Sequence, residues 1–248
     1  MAQIPGTKRK RFWEHKSVVE ALAVIPPITA AAVSAILNLR DPAKRSLGWV
    51  LIGASVWLAV ASVVKVLNAQ AQDAAQKKSE GYQGLLAALH VLHGAVRSRA
   101  GLGNLHDGRL RATIHRVVPG QGGVEEVEQL LPYIGGNGSP AGRTFSVRSG
   151  IIGKAVRERS VFAASRVSPD YEAFLSELVR DWSYTMEDAR KLSPDRRSWM
   201  AVPIPVERGP VVAVVYLDSS EPEFFGGEVQ RIVLEACAGI TSYIDEVY

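Results

Sequence analysis

Trp199-Met-Ala-Val-Pro-Ile-Pro-Val206 and Val211-Val-Ala-Val-Val-Tyr-Leu-Asp218 are two apolar runs separated by Glu207-Arg-Gly-Pro210. Short, rich in β-branched residues and bounded by Gly and Pro, they read as a strand pair joined by a turn. Upstream, Arg111 to Val118 alternates in the manner of a half-buried strand. Val124 to Ile134 reads as its hairpin partner across Pro119-Gly-Gln-Gly-Gly123. Between the two pairs, Ser149 to Arg157 has the pattern of a short helix and Val161 to Ser165 that of a short strand. Ser168-Pro169 has the form of an N-cap and first helical residue, opening a helix through Val179. Asp181 to Pro194 reads as an irregular, charged stretch. Gly227 to Val247 closes the chain as a helix with one broad apolar face made by Val229, Ile232, Val233, Ala236, Ile240, Ile244 and Val247. Strands in hairpins flanked by helices specify an α+β domain with an antiparallel sheet.

Several chemistries lack their residues. Gly136, Gly138 and Ala141 formally satisfy G-x-G-x-x-A, but Pro140 intrudes and a strand-like segment follows, so the dinucleotide fingerprint fails its context. His90 and His93 stand three apart on a helical stretch without the further ligands a metal needs, and no metal or other cofactor is expected. Cys237 is the sole cysteine. It lies in an apolar helical run, which excludes an internal disulfide and suits a buried thiol. No Ser-His or paired-carboxylate constellation takes its place, so the chain is not expected to be an enzyme.

The 248 residues are 47% apolar and 22% charged, ordinary for a packed protein, but the distribution is uneven. Lys8, Arg9, Lys10, Arg11 and Lys16 against Glu14 give the first sixteen residues the whole formal net charge of +4. Basic residues gathered ahead of an apolar run point away from nucleic acid. Ala21–Leu39 and Ser46–Val64 are each 19 residues without a charge, joined by Arg40-Asp41-Pro42-Ala43-Lys44-Arg45. At about 1.5 Å per residue each reaches roughly 28 Å, close to the hydrocarbon thickness. The pattern predicts a membrane anchor over 1–67 with two transmembrane helices, about 18–39 and 46–67, with Trp13 and Trp49 at opposite headgroup boundaries. Eight Lys and Arg flank the outer ends against three in the loop, which places both termini in the cytoplasm and the protein in a plasma or inner membrane as a multi-pass chain.

Residues 68–97 are Ala-, Gln- and Leu-rich without proline, a helical linker. Leu85, Leu89, Leu92 and Val96 repeat at four, three and four, forming a seam that wants a partner helix. The partner is either a second copy, as in a coiled coil and homo-oligomer, or the chain's own C-terminal helix.

The order of these segments resembles a GAF domain. The strand at 111–118, the Ser149-Gly150-Ile151-Ile152-Gly153 turn into a helix, the Met200–Ile204 and Val214–Asp218 strands and the closing amphipathic helix follow the family's order, within a domain placed at 98–248. The resemblance implies a sheet with helices on both sides, dimerisation through the first and last helices and a cavity for a small molecule such as a nucleotide. The Asn-Lys-x-Phe-x-x-x-Asp-Glu signature of the phosphodiesterase members is absent. Cys237 falls in the last helix, away from where a bilin would attach or a methionine-sulfoxide reductase would place its thiols. By the family's arrangement, Arg166 to Tyr171 and Asp181 to Trp199 cover the cavity. Arg166, Arg196 and Arg197 would then offer forked donors to phosphate or carboxylate, and Tyr171, Trp182, Tyr184 and Trp199 would supply aromatic surface.

The expected function is a membrane-anchored cytoplasmic sensor of a small molecule, a nucleotide being one candidate, acting through dimer or hairpin rearrangement. One alternative resembles the two-spanning effectors of bacterial antiphage signalling, with the hairpin disrupting the membrane when a nucleotide binds. Another is a ligand-free GAF-like dimerisation scaffold with its cavity filled by side chains.

Overall fold

The computed structural model describes residues 16–40, 45–103, 108–119, 125–136, 141–204 and 210–247, and the chain divides into two compact units, Met1–Gly81 and Tyr82–Tyr248.

The first unit holds helix α1 (Lys16–Leu39) and the beginning of helix α2 (Arg45–Arg99). A Cβ on Gly48 would lie 2.7 Å from Leu39 Cγ, so the helices approach through a residue with no side chain. Ser55 Oγ donates to Leu51 O at 2.8 Å and the Ser62 hydroxyl to Leu58 O, which leaves these polar groups satisfied within an apolar helix. Large apolar side chains stay exposed, Trp49 at 64% and Trp57 at 72%. Of the two spanning helices that the apolar blocks predict, one is supported. Among the described residues only Ser46–Arg99 is long and apolar enough to cross a bilayer, with none of its apolar window buried. The other block falls within α1, where Pro27–Leu39 is a shorter apolar stretch. Trp13 and most of the connecting loop lie outside the described residues.

The second unit is built on a six-stranded antiparallel sheet in the order β3-β2-β1-β6-β5-β4. The strands are β1 (Leu110–Pro119), β2 (Glu125–Gln129), β3 (Thr144–Ser146), β4 (Phe162–Ser165), β5 (Ser198–Ile204) and β6 (Ala213–Ser219). Helices α3 (Gly150–Glu158), α4 (Tyr171–Trp182), α5 (Met186–Arg190) and α6 (Gly227–Val247) complete it. The two-residue side-chain period sorts the strands into faces. Leu110, Ala112 and Ile114 of β1, Met200, Val202 and Ile204 of β5, and Ala213, Val215 and Leu217 of β6 face the C-terminal part of α2 and Val233, Cys237 and Ile240 of α6. Ala201, Val214 and Tyr216 point the other way, toward Ile151, Ala155 and Val156 of α3. This is the α+β arrangement expected, with helices on both faces.

Leu85, Leu89, Leu92 and Val96 are at most 1% exposed, within the same core as the sheet and α6. The seam therefore closes on the chain's own sheet and last helix. A spacing of four, three and four defines an apolar stripe but does not say whether helix or sheet covers it. His93 follows the same logic. It is buried, and its Nε2 donates to Leu110 O at 2.9 Å, tying α2 to β1.

Two local expectations shift. Helix α4 is capped by Asp170, whose carboxylate accepts from Ala173 N at 2.8 Å, and not by Ser168. The stretch expected to be irregular contains α5, capped by Thr185, which accepts from Asp188 N.

Candidate functional site

The side chains on the α3 face of the sheet leave a cavity of about 770 Å³, a size suited to a small ligand. Its floor is made by Arg111 and His115 on β1, Tyr216 and Asp218 on β6 and Trp199 on β5, which alternate with residues facing the apolar core, and by Ala164 on β4. The register places Arg111 directly across from Asp218, and Asp218 across from Trp199.

Charge in the floor is organised around Asp218, which is 1% exposed. Arg111 donates to both of its carboxylate oxygens at 2.8 Å through Nε and Nη2. Arg196 reaches Asp218 at 3.4 Å through Nη1, which also donates to Gly108 O at 2.8 Å, while its Nη2 meets Asp195 at 2.6 Å. Burial works against the charged form of Arg111, but the hydrogen bonds and charge of Asp218 outweigh it and hold its pKa above the ordinary value. This chain of two arginines and two carboxylates joins the sheet to the segment that covers it.

His115 is held neutral. Burial, with the charge of Arg143 adding to it, pushes its pKa down to about 3. The ring meets Phe145 and Tyr216 edge-on at 5.8 Å and 6.1 Å, and Nδ1 has no hydrogen-bond partner among the described residues. The folded state thus binds fewer protons than the unfolded chain from pH 6.5 down to about pH 3, and stability falls with pH across that window. Between pH 8 and pH 5 this one residue is expected to remove about 2 kcal/mol. Thermal melts across that range should show the loss in the parent chain and a flatter profile in His115→Phe.

The wall is formed by Tyr133, by Arg143 and Phe145 at the edge of the sheet, and by the first turn of α3. Gly150 has φ +76°, a conformation favourable only to glycine, and a Cβ there would lie 2.3 Å from the Tyr184 hydroxyl. At Gly153 a Cβ would come within 2.3 Å of Val147 O, which is backbone and cannot yield. The Ser149-Gly150-Ile151-Ile152-Gly153 turn is thus what lets helix, cover and cavity meet. The Ser149 side chain makes no cap hydrogen bond.

Of the residues expected to bind a ligand, Trp182, Tyr184, Arg196 and Trp199 line the cavity. Arg166, Tyr171 and Arg197 do not. Arg166 donates to Ser168 O, Pro169 O and Pro194 O at 2.5, 2.7 and 3.3 Å and lies 4.5 Å over the Phe174 ring, so it clasps the covering turns to each other. Tyr171 packs in the small core of α4 and α5, with Phe174 at 6.5 Å. Arg197 is exposed, and its backbone N donates to Ser219 O at 2.8 Å. Trp199 stacks on Phe174 at 5.8 Å with the rings 5° from parallel.

Arg111, His115, Tyr133, Arg143, Tyr216 and Asp218 were not singled out by sequence reasoning. For four of them the signal lies in the strands: Arg111, Thr113 and His115 alternate with Leu110, Ala112 and Ile114, and Tyr216 and Asp218 interrupt an apolar strand, whereas Tyr133 and Arg143 stand outside any strand.

Among the described residues no group of three or more His, Cys, Asp or Glu could hold a metal ion. Cys237 lies in the core on the opposite face of the sheet, its thiol pushed up to about 12 by burial, so thiol chemistry in the cavity has no cysteine to use.

No family model matches the chain, and no curated protein does. Solved structures similar to it include a GAF domain/HD domain protein from Geobacter sulfurreducens, at 15% identity over 65% of this chain and 92% of that one, with a TM-score of 0.43. A type II free methionine-R-sulfoxide reductase from Thermoplasma acidophilum is 12% identical over 65% and 94%, with a TM-score of 0.41. The GAF domain of a two-component sensor histidine kinase from Bacillus halodurans is 14% identical over 64% and 95%, with a TM-score of 0.38.

Proposed function

We propose that the chain is a membrane-anchored sensor, in which a small molecule occupies the cavity on the α3 face of the sheet and the long helix α2 carries its effect toward the anchor. The observation that carries this reading is the cavity itself. It is open and of ligand size, and its walls are aromatic rings with a few fixed polar groups, the usual make-up of a small-molecule site. Exposed apolar side chains on α1 and α2, Trp49 and Trp57 among them, favour lipid as the environment of the first unit. The charge-free blocks and the flanking Lys and Arg favour a hairpin with both termini in the cytoplasm.

Helix α2 supplies the coupling. Leu85 to Val96 are buried against the sheet, and the same helix continues back into the apolar block. A ligand that prefers one packing of sheet against helix shifts the population of that packing and acts on whatever the helix is joined to. Rearrangement of a homodimer and rearrangement of the hairpin are the two forms this output takes. Dye leakage from vesicles carrying the full chain separates a hairpin that disrupts the bilayer from one that only signals.

Native mass spectrometry of the full chain in detergent micelles tests the binding reading. A small-molecule adduct released on unfolding is the expected result. A folded chain of bare mass, unmoved in thermal stability by an extract of small metabolites, supports the scaffold instead.

A further inference from the structure

Three tyrosines on three different segments meet in the cavity: Tyr133 after β2, Tyr184 after α4 and Tyr216 on β6. Tyr216 is 8% exposed. None of the three hydroxyls hydrogen-bonds to a protein group among the described residues, and none is a sealed polar atom, so each reaches open space unpartnered. Burial raises the pKa of all three, to about 12 for Tyr184, and they remain O–H donors at neutral pH. Three phenolic donors lining one cavity without a described protein partner suit a ligand that brings acceptors.

The charge of the lining says what kind of acceptor. Arg111 and Arg196 are matched by Asp218 and Asp195, and Lys191 by Glu187 and Asp188 at 3.2 and 2.9 Å. Arg143 is different. Its Nε and Nη2 are held by the neutral Gln129 Oε1 at 3.0 and 2.7 Å, and no described carboxylate pairs with it. The guanidinium lies 5.9 Å over the Tyr133 ring and 5.5 Å over Phe145. Among the charged side chains that line the cavity, Arg111, Arg143, Lys191 and Arg196 outnumber Asp188 and Asp218 by four to two, and Arg143 is the one with no described carboxylate beside it.

We propose that the cavity's ligand is an acid, its oxyanion held by the hydroxyls of Tyr133, Tyr184 and Tyr216 and by the uncompensated guanidinium of Arg143. The inference rests on the cavity being a ligand site and adds the charge of what enters it. Phosphate and carboxylate share the required chemistry, since both present several acceptor oxygens to forked and phenolic donors. A cation would meet Arg143, and a neutral apolar molecule would leave the three hydroxyls unpaired.

The test is thermal unfolding of the full chain in micelles with inorganic phosphate or acetate as probe, against chloride at equal ionic strength. The midpoint is expected to rise with at least one of them. In Arg143→Gln that probe should bind about tenfold more weakly or worse, and in Tyr216→Phe it should also weaken. Arg143 is on the exposed edge and Tyr216→Phe removes only an oxygen, so both variants are expected to fold, which circular dichroism checks. A response to phosphate alone assigns a phosphate-bearing ligand, and a response to acetate admits carboxylates. If neither probe moves the parent, or Arg143→Gln responds as the parent does, the proposal is wrong. A neutral copurifying molecule would overturn it while leaving the cavity a ligand site.

Discussion

Asp218→Asn is expected to lower folding stability by about 3–5 kcal/mol, as removal of one member of a buried ion pair does. The carboxylate side chain is 2% exposed and serves two arginines, Arg111 at 19% and Arg196 at 10% exposure. The amide keeps the shape but loses the charge, and its NH₂ faces a donor. Arg111 is then left buried with no described carboxylate, and Arg196 retains Gly108 O and the more exposed Asp195. Thermal or urea unfolding of the full chain gives the size of the effect. A loss below about 1 kcal/mol would mean that water already screens the pair. Because Arg196 belongs to the segment over the cavity and Arg111 to its floor, the same substitution is expected to loosen the cover, which faster hydrogen exchange across residues 193–197 would report.

Leu89→Ala is expected to cost about 2–5 kcal/mol, the range for truncating a fully buried leucine. Leu89 is 0% exposed, between the sheet and α6. Had residues 82–97 formed only a solvated linker, the same change would fall within about 0.5 kcal/mol. Val91, two residues further along and so on the opposite side of the helix at 73% exposure, is the internal control, and Val91→Ala should be nearly neutral. The contrast bears on signalling as well as stability, because a helix whose inner stripe is part of the sheet's core must follow any repacking of that sheet.

How far the sequence could be read follows from which interactions are local. Strands β5 and β6, helix α3 and the whole of α6 are legible because alternation and helical spacing are properties of a few consecutive residues. The cavity is only half legible. Trp182, Tyr184, Arg196 and Trp199 stand within one stretch of chain, and all four line the cavity. Arg111 and Asp218 are 107 residues apart, and nothing in either strand states their register. An arginine in a half-buried strand looks solvated until the carboxylate across from it is known. Arg166 shows the opposite case: a loop arginine looks free for a ligand in the sequence, but the backbone carbonyls of Ser168, Pro169 and Pro194 accept from its guanidinium. The seam on α2 lies between these cases, its stripe readable and its partner not.

The cavity's role as a ligand site is tested most directly by filling it. Ala164 lines the floor on β4 beside Trp199 on β5, and Ala164→Phe introduces a ring where a ligand would lie. If the space is open, thermal unfolding of the full chain should stay within about 1 kcal/mol of the parent, since no packed side chain has to move, and any copurifying adduct should vanish from its native mass spectrum. If side chains already plug that space, the added ring overpacks it, and a loss of about 1–3 kcal/mol with no change in mass would contradict a ligand-binding site.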